Sequence, residues 1–545
     1  MMTMRGLMTV AAVCLAAIAA PGADGAAPFS VKMLPNEKWW GVANFYGRRM
    51  PFDASTELTI DLRKDNFNNQ SASFLVSDRG RAIWCDTQAA FEFKEGAISV
   101  AGAASPVELV QNGKTLREAF LDGARRHFPA TGRAPDLAFF RAPQYNTWIE
   151  LTYHQNERDI LAYAQSMLDH GFPPGILMID DTWQAGYGDW RFEPTRFKDP
   201  KGMCDKLHAA GFKVVLWMCP WVGMDLPAYR RIAWGQNPDD VRGYPAKGGF
   251  LLDPVTGSPA AVDWWNGVSA LLDLTHPNGR AWFEEQLNRL VKDYGVDGFK
   301  FDGGGLLRYA KGYLAHDAKA SSGDQVMAYA KYALDYPVCE YRNVWRLQGQ
   351  PIVMRLHDKA HTWEDLRKLI PDLVAGGLLG YPFMCPDMIG GGTWMSFLPG
   401  SAFEEELYVR SAQVHALCGM MQFSASPWRC LSPENQRIVI DLVKLRQEKF
   451  AAYFVELAKM CGRTGEPMIR NLEYAFPRCG YAEVRDEFMM GDRLLVAPQT
   501  VKGAATRPVR IPKGDWIADD GTEIRGPADI TVKTPLSRLP YFLRR

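Results

Sequence analysis

Three times between residues 156 and 302 the chain repeats one unit: an amphipathic helix, a glycine, and a short apolar run that ends in a carboxylate or a tryptophan. In the first unit Ile160, Ala164, Met167 and Leu168 share a helical face, Gly171 follows, and Ile176 to Ile179 runs into Asp180 and Asp181. In the second, Met203, Leu207 and Ala210 precede Gly211 and the run Val214 to Trp217. In the third, Phe283, Leu287, Leu290 and Val291 precede Gly295, and the run from Gly298 ends at Asp302. Glycine just past a helix takes the left-handed conformation that side chains resist. A continuous apolar strand, without alternation, belongs to a parallel sheet covered on both faces. Such units build either a closed (β/α)8 barrel or an open doubly wound sheet.

Further apolar runs at 351–354, 378–383, 420–423 and 468–470 extend the series to about eight strands over residues 131–470, which fits a (β/α)8 TIM barrel with insertions. An open nucleotide-binding sheet would carry a Gly-rich phosphate turn straight after its first strand. The Gly runs 303–305 and 390–392 lack the GxGxxG or GxxxxGKS context, and backbone clearance beside a site is the better reading of both. Residues 26–130 show short extended segments instead, such as Thr56–Leu62 and Ala72–Val76, separated by Asn, Gly and Asp. The period-two alternation of the first predicts an N-terminal β-sandwich. A helical stretch over 432–460, opened by Ser432 and Pro433, precedes short strands at 494–497, 509–511 and 530–532, a second β-sandwich over 471–545. The expected fold is therefore α/β, a TIM barrel flanked by N-terminal and C-terminal β-sandwich domains.

Residues 1–25 stand apart. Arg5 supplies a positive start, Leu7 to Ala20 is a 14-residue apolar run, and small residues follow. This is the pattern of a secretory signal peptide, and the run is too short for a membrane span. An exported chain without a membrane span is expected, periplasmic or secreted. Nine Cys remain after the signal, scattered, without a CxxC pair or zinc-like spacing, and read mostly as buried small hydrophobes. Lys and Arg total 62, as do Asp and Glu, so no basic excess exists to bind nucleic acid. The 17 Trp and 20 Tyr are core material first and flat platforms for a sugar ring second.

In a barrel the C-terminal strand ends face the active site. Those ends carry Asp180, Asp181, Trp217, Lys300, Asp302 and Arg355, with Asp358 just beyond. A single Asp after a strand is often a helix cap, but several converging on one rim are not core residues, because a buried unpaired carboxylate is costly. Paired carboxylates with flanking Trp suit glycoside hydrolysis, which needs one protonated acid and one carboxylate nucleophile or base. Lys300 shares a strand face with Asp302 and would hold it ionised, as a nucleophile requires. Asp358 would need less cationic surroundings to keep the proton of an acid. The rival in the same stretch, His357 to His361, resembles the zinc signature HExxH with Asp for Glu. That signature needs both His on one helix, whereas a helix is expected to start only at Thr362.

These residues resemble glycoside hydrolase family 31. Lys300-Phe301-Asp302 is similar to the family's nucleophile motif, and Asp358 with Trp363 to its acid/base motif. The resemblance implies a retaining α-glycosidase with Asp302 and Asp358 as catalytic pair, and Asp180, Trp217, Lys300 and Arg355 contacting the sugar in the −1 subsite. Within the family the branch of the animal myogenesis-regulating glycosidase is the nearest likeness, through Ile179–Asp181, Trp264–Gly267, Leu379–Phe383, Pro386–Met388, Met421–Ser424 and Pro427-Trp428. That branch implies α-galactosidase activity. The family's glucosidases carry an Arg-x-His near the place of Gln422–Ser424. Asp181 and Trp264 are candidates for reading the 4-hydroxyl, and Asp387 for a further substrate contact. Departures are His357 in place of Gly, Gly304-Gly305 in place of an acidic residue, and Ser411 in place of Trp.

The expected function is removal of terminal α-linked galactose from an oligosaccharide or glycan through a glycosyl-aspartate, with no metal or organic cofactor. A family 31 α-glucosidase or α-xylosidase is the alternative enzyme, and a non-catalytic carbohydrate-binding barrel the alternative class.

Overall fold

The computed structural model describes residues 29–226, 228–229 and 248–545. The 25-residue signal read from the sequence lies outside the described residues.

Eight short parallel strands follow one another along the chain: β1 (Gln144–Asn146), β2 (Ile176–Ile179), β3 (Lys213–Met218), β4 (Gly298–Phe301), β5 (Val338–Tyr341), β6 (Val353–Arg355), β7 (Phe383–Cys385) and β8 (Gln422–Phe423). Neighbours pair in order from β1 to β7, and β8 pairs back onto β1. Between β7 and β8 the ladder thins to one parallel bridge, Met388 to Gln422, where Ile389 N–H donates to the Gln422 carbonyl at 2.9 Å. The sheet is thus a nearly closed eight-stranded parallel barrel. β2 and β4 are buried along their whole length, as continuous apolar runs require.

The helices between strands start and stop as the sequence indicates. The Asn156 side chain accepts from Asp159 N–H at 2.9 Å and opens helix Glu157–Asp169, and Asp199 does the same for Gly202 at the head of Pro200–Ala209. Gly171, Gly211 and Gly295, at φ of +79°, +92° and +76°, turn the chain out of the three helices.

Two sequence expectations shift. The run 378–383 is mainly the end of helix Trp363–Leu378 and its turn, and the strand begins only at Phe383. The run 468–470 holds no barrel strand: Ile469–Arg470 pairs antiparallel with Phe488–Met490 in the C-terminal sheet. The strands that complete the barrel are β1 and β5, whose buried Gln144, Asn146 and Glu340 interrupt any apolar run.

Before the barrel, a four-stranded antiparallel sheet (29–32, 97–101, 90–94, 58–61) faces a second sheet built on 70–77, 81–85, 107–111 and 39–43. Phe52, bridged to Trp39 of the second sheet, packs its ring 4.4 Å from Phe93 of the first. Val344–Trp345, from the segment after β5, joins that second sheet in parallel with Gln70–Ser71. After the barrel, six antiparallel strands form one sheet ending at Tyr541–Arg544. Between β3 and β4, strands 221–223, 267–271 and 261–264 make a small antiparallel sheet. No helix among the described residues is long and apolar enough to cross a membrane.

Candidate active site

Alternation along β4 puts Lys300 and Asp302 on one face, and register sets Lys300 beside Trp217 of β3 and Glu340 of β5. Lys300 Nζ lies 2.6 Å from Asp180 Oδ2, both buried. Lys300 is thus in direct contact with Asp180, and it lowers the Asp302 carboxyl only from a distance, as a smaller influence than two arginines. Arg355 Nη2 lies 3.2 Å and Arg342 Nη1 3.5 Å from Asp302 Oδ1. Gly303 N–H donates to that oxygen at 2.8 Å, and Trp217 Nε1 donates to Oδ2 at 3.2 Å. Burial pushes the Asp302 carboxyl up, but the Arg355 and Arg342 guanidiniums outweigh it and hold the group below its ordinary value.

Asp358 meets the same two arginines: Arg355 Nη1 at 2.9 Å and Arg342 Nη1 at 3.1 Å. Its surroundings are not the less cationic ones that the sequence reading required. Desolvation is again overcome, here by Arg342 and Arg355, and the carboxyl sits well below the usual range. Both carboxylates thus lie against one nitrogen, Arg342 Nη1. The Asp358 side chain is 42% exposed against 10% for Asp302, so it stands at the pocket's open side.

Beneath them Arg355, almost fully buried, also reaches Asp387 Oδ1 at 3.2 Å and Glu340 Oε1 at 3.6 Å. One guanidinium divided among four carboxylates cannot hold all of them ionised. Burial pushes Glu340 up to about 7 and Asp387 up to about 6, against the pull of Arg355. Asp181, behind Asp180, is likewise pushed up to about 7 by burial. It accepts from Tyr187 Oη at 3.1 Å, Gln184 Nε2 at 3.2 Å and Asn266 Nδ2 at 2.7 Å.

These groups line a cavity of about 400 Å³ at the C-terminal strand ends, walled by Trp148, Tyr153, Trp217, Trp221 and Trp265. That size and mixture of flat apolar walls with converging polar groups fits a small polar ligand. Asp180, Asp181, Trp217, Lys300, Asp302, Arg355 and Asp358 all line it. Trp264 and Asp387 do not: Trp264 packs edge-on behind Trp221 and Trp265 at 4.6 and 4.9 Å, and Asp387 lies beneath Arg355. Trp265, 49% exposed, takes the wall position that its neighbour was expected to hold.

Gly303, at φ +65°, follows Asp302 where a Cβ would come within 2.8 Å of the Trp221 ring, which bears out the clearance reading. Gln422 turns inward to Glu340 at 3.0 Å, and Ser424 Oγ accepts from Ile149 N–H at 2.8 Å. His357 Nδ1 contacts the Asn69 amide at 2.6 Å while His361 Nδ1 contacts the Gly390 carbonyl at 2.9 Å. They thus share no site. Among the described residues no group of three or more His, Cys, Asp or Glu could hold a metal ion.

Sequence reasoning missed Glu340, Arg342, Asn68 and Trp221. Glu340 lies in β5, a strand without an apolar run, Arg342 directly follows it, and Asn68 arrives from the N-terminal segment. Trp221 follows β3 by three residues and was open to detection.

Residues 144–450 match the family model described as the TIM-barrel domain of glycosyl hydrolases family 31, and 465–545 the family's C-terminal domain. The Mus musculus myogenesis-regulating glycosidase is 33% identical over 426 residues, 76% of this chain and 57% of its own length. An alpha-xylosidase of Emericella nidulans is 25% identical over 441 residues, 75% of this chain and 53% of its own. The chain thus spans little more than half the length of these two relatives. A Flavobacterium johnsoniae dextranase complexed with glucose shares the fold with TM-score 0.78 at 19% identity, over 95% of this chain and 66% of that one. A soil-metagenome alpha-xylosidase complexed with xylose does so with TM-score 0.78 at 21% identity, over 95% and 79%. The chain belongs to glycoside hydrolase family 31.

Proposed function

We propose that this protein is an exo-acting, retaining α-glycosidase that removes terminal α-linked galactose from a glycan or oligosaccharide. The observation that carries the reading is the meeting of Asp302 and Asp358 at a single guanidinium nitrogen in a pocket of pyranose size. Retaining enzymes hold their carboxylates about 5–5.5 Å apart and inverting ones about 6.5–9.5 Å, and the retaining reading rests on the likeness of Asp302 and Asp358 to the family's catalytic motifs.

Asp302, ionised beside Arg355 and Arg342 and oriented by the Trp217 and Gly303 N–H groups, attacks the anomeric carbon and forms a glycosyl ester. Asp358 protonates the departing oxygen, then deprotonates the water that releases the sugar with its configuration retained. Galactose is favoured by the likeness to the myogenesis-regulating glycosidase branch, by Ser424 where the family's glucosidases have His, and by Asp181 lining the pocket. An α-xylosidase is the second reading, favoured by the Emericella nidulans relative.

Nitrophenyl α-galactoside, α-glucoside and α-xyloside compared side by side test the substrate, with the galactoside expected to turn over fastest. Asp302→Asn is expected to lower turnover by about a thousandfold or more while the melting temperature holds. Wild-type rates in that variant remove Asp302 from the nucleophile's place.

A further inference from the structure

Asp358 sits on a short loop between β6 and helix Trp363–Leu378, and the loop is pinned on either side of it. Leu356 N–H donates to the Cys385 carbonyl of β7 at 3.0 Å, and the Lys359 carbonyl accepts from Gly392 N–H at 2.9 Å. Between those points His357 and Asp358 make no backbone–backbone hydrogen bond among the described residues. The Asp358 carboxylate is gripped by Arg355 and Arg342, at 2.9 and 3.1 Å. That grip is strongest on the ionised group. A general acid must keep the same place with its proton on, so the loop has to be fixed by contacts that the proton leaves unchanged.

His357 supplies such contacts. It stands where the family's acid motif has Gly, and so brings to the loop a ring that the motif lacks. Its Nδ1 lies 2.6 Å from the Asn69 amide nitrogen, and its ring centre 5.6 Å from that of Phe45. Both partners come from the N-terminal segment, outside the barrel. On the loop's own side Lys359 Nζ stands 3.3 Å from Nε2 and is held by Asp372 of the following helix at 2.7 Å. Asn69 is itself fixed. Phe67 and Asn68, at φ +58° and +51°, turn the chain into it. Its N–H donates to the Asn66 carbonyl at 3.2 Å, its carbonyl accepts from Asn66 Nδ2 at 2.9 Å, and its side-chain oxygen accepts from Asn44 Nδ2 at 3.3 Å. The amide nitrogen is thereby turned to His357. Burial, with the Lys359 charge, pushes His357 down to about 3, so the neutral ring accepts the amide proton at Nδ1.

We propose that His357 is a positioning residue: held by Asn69 and Phe45 from outside the barrel, it fixes the loop so that Asp358 keeps its place at the departing oxygen with or without the proton. The loop's other neighbours cannot take this part. Lys359 is paired with Asp372, and Gly392, where an added Cβ would come within 3.1 Å of the Asp358 Cβ, packs against the loop without a side chain.

The proposal rests on the glycosidase reading. A wild-type protein inactive on all three nitrophenyl glycosides, or an Asp302→Asn as active as wild type, overturns that reading and the proposal with it. The positioning role alone is tested by leaving group. Fluoride departs from a glycosyl fluoride with little help from an acid, whereas methanol leaves a methyl glycoside only with a proton, help worth about 100- to 10,000-fold. The probes are the α-glycosyl fluoride and the methyl α-glycoside of whichever sugar the nitrophenyl comparison prefers. In His357→Ala, kcat/KM is expected to fall by about tenfold or more on the methyl glycoside and by less than about threefold on the fluoride. Asn69→Ala, at the other end of the contact, is expected to show the same split. The double variant is expected to match the larger single loss within about twofold, because both act through one contact. His357→Asn, which keeps an acceptor where Nδ1 stands and guards against a folding loss, is expected to recover most of the methyl-glycoside activity. A near-equal fall on both probes in His357→Ala makes the ring merely structural and overturns the proposal, as does an unchanged rate on the methyl glycoside. So do losses that multiply in the double variant.

Discussion

Arg355 sets the charge economy of the pocket residue by residue. Asp302 and Asp358, which also meet Arg342, are held low, whereas Glu340 and Asp387 are pushed up by burial faster than their share of the guanidinium pulls them down. Glu340 Oε1, Asp387 Oδ2 and Arg355 Nε make no hydrogen bond, although Arg355 Nε and Glu340 Oε1 lie 3.6 Å apart as an ion pair. The sign of the effect on stability follows. Glu340 has a folded value of about 7 against an ordinary 4.5, so the folded state favours its protonated form. That contribution is full below about pH 4.5 and is lost as the pH rises through about 7. Glu340→Gln removes the decline, worth at most about 3 kcal/mol. Chemical denaturation at pH 5 and pH 8 checks this, and the variant is expected to lose less stability between the two than wild type. Asp302 and Asp358 work in the opposite sense: their contribution is present above their ordinary value of 3.8 and fades as the pH falls below it.

At the scale of elements, the site depends on turns as much as strands. The chain leaves β4 through Gly303 and Gly304, both at positive φ, and the missing Cβ of Gly303 makes room for Trp221 from the small sheet between β3 and β4. Gly303→Ala combines backbone strain of about 1–2 kcal/mol with a clash that tilts that wall. A lower melting temperature together with a raised KM is the expected result, and a KM unchanged in a destabilised variant would confine the effect to folding. The elements themselves were unevenly legible in the sequence. β2, β3 and β4 announce themselves because strands buried on both faces need unbroken apolar runs. β1 and β5 do not, because their inward positions carry Gln144, Asn146 and Glu340, polar groups that bury only by bonding across the barrel, as Gln422 does with both Gln144 and Glu340. Asp302, Asp180, Lys300 and Arg355 were legible as polar residues at the ends of apolar runs. Arg342 was not, because it follows a strand that carries no such signal.

Over the whole molecule the barrel and its flanking sheets share their boundaries. A barrel segment adds a strand to the N-terminal sheets, and Gln70 from those sheets bonds the backbone of both active-site arginines. No disulfide contributes among the described residues: all nine described cysteines are free and seven are buried. The melting temperature is therefore expected to be the same with and without a reductant, and the cysteines from Cys85 onward to titrate as thiols in the unfolded chain. A reductant-sensitive transition would mean that some of them pair.

The sequence by itself determined the architecture and part of the cast of the pocket, because the burial of parallel strands and the exposure of their ends are written in local pattern. It did not determine the pairing. Lys300 was expected beside Asp302 and lies against Asp180 instead, while Arg342 and Arg355 serve both members of the proposed catalytic pair. Charge pairing falls off over a few ångströms between residues far apart in the chain, so only the folded arrangement decides which carboxylate each cation meets.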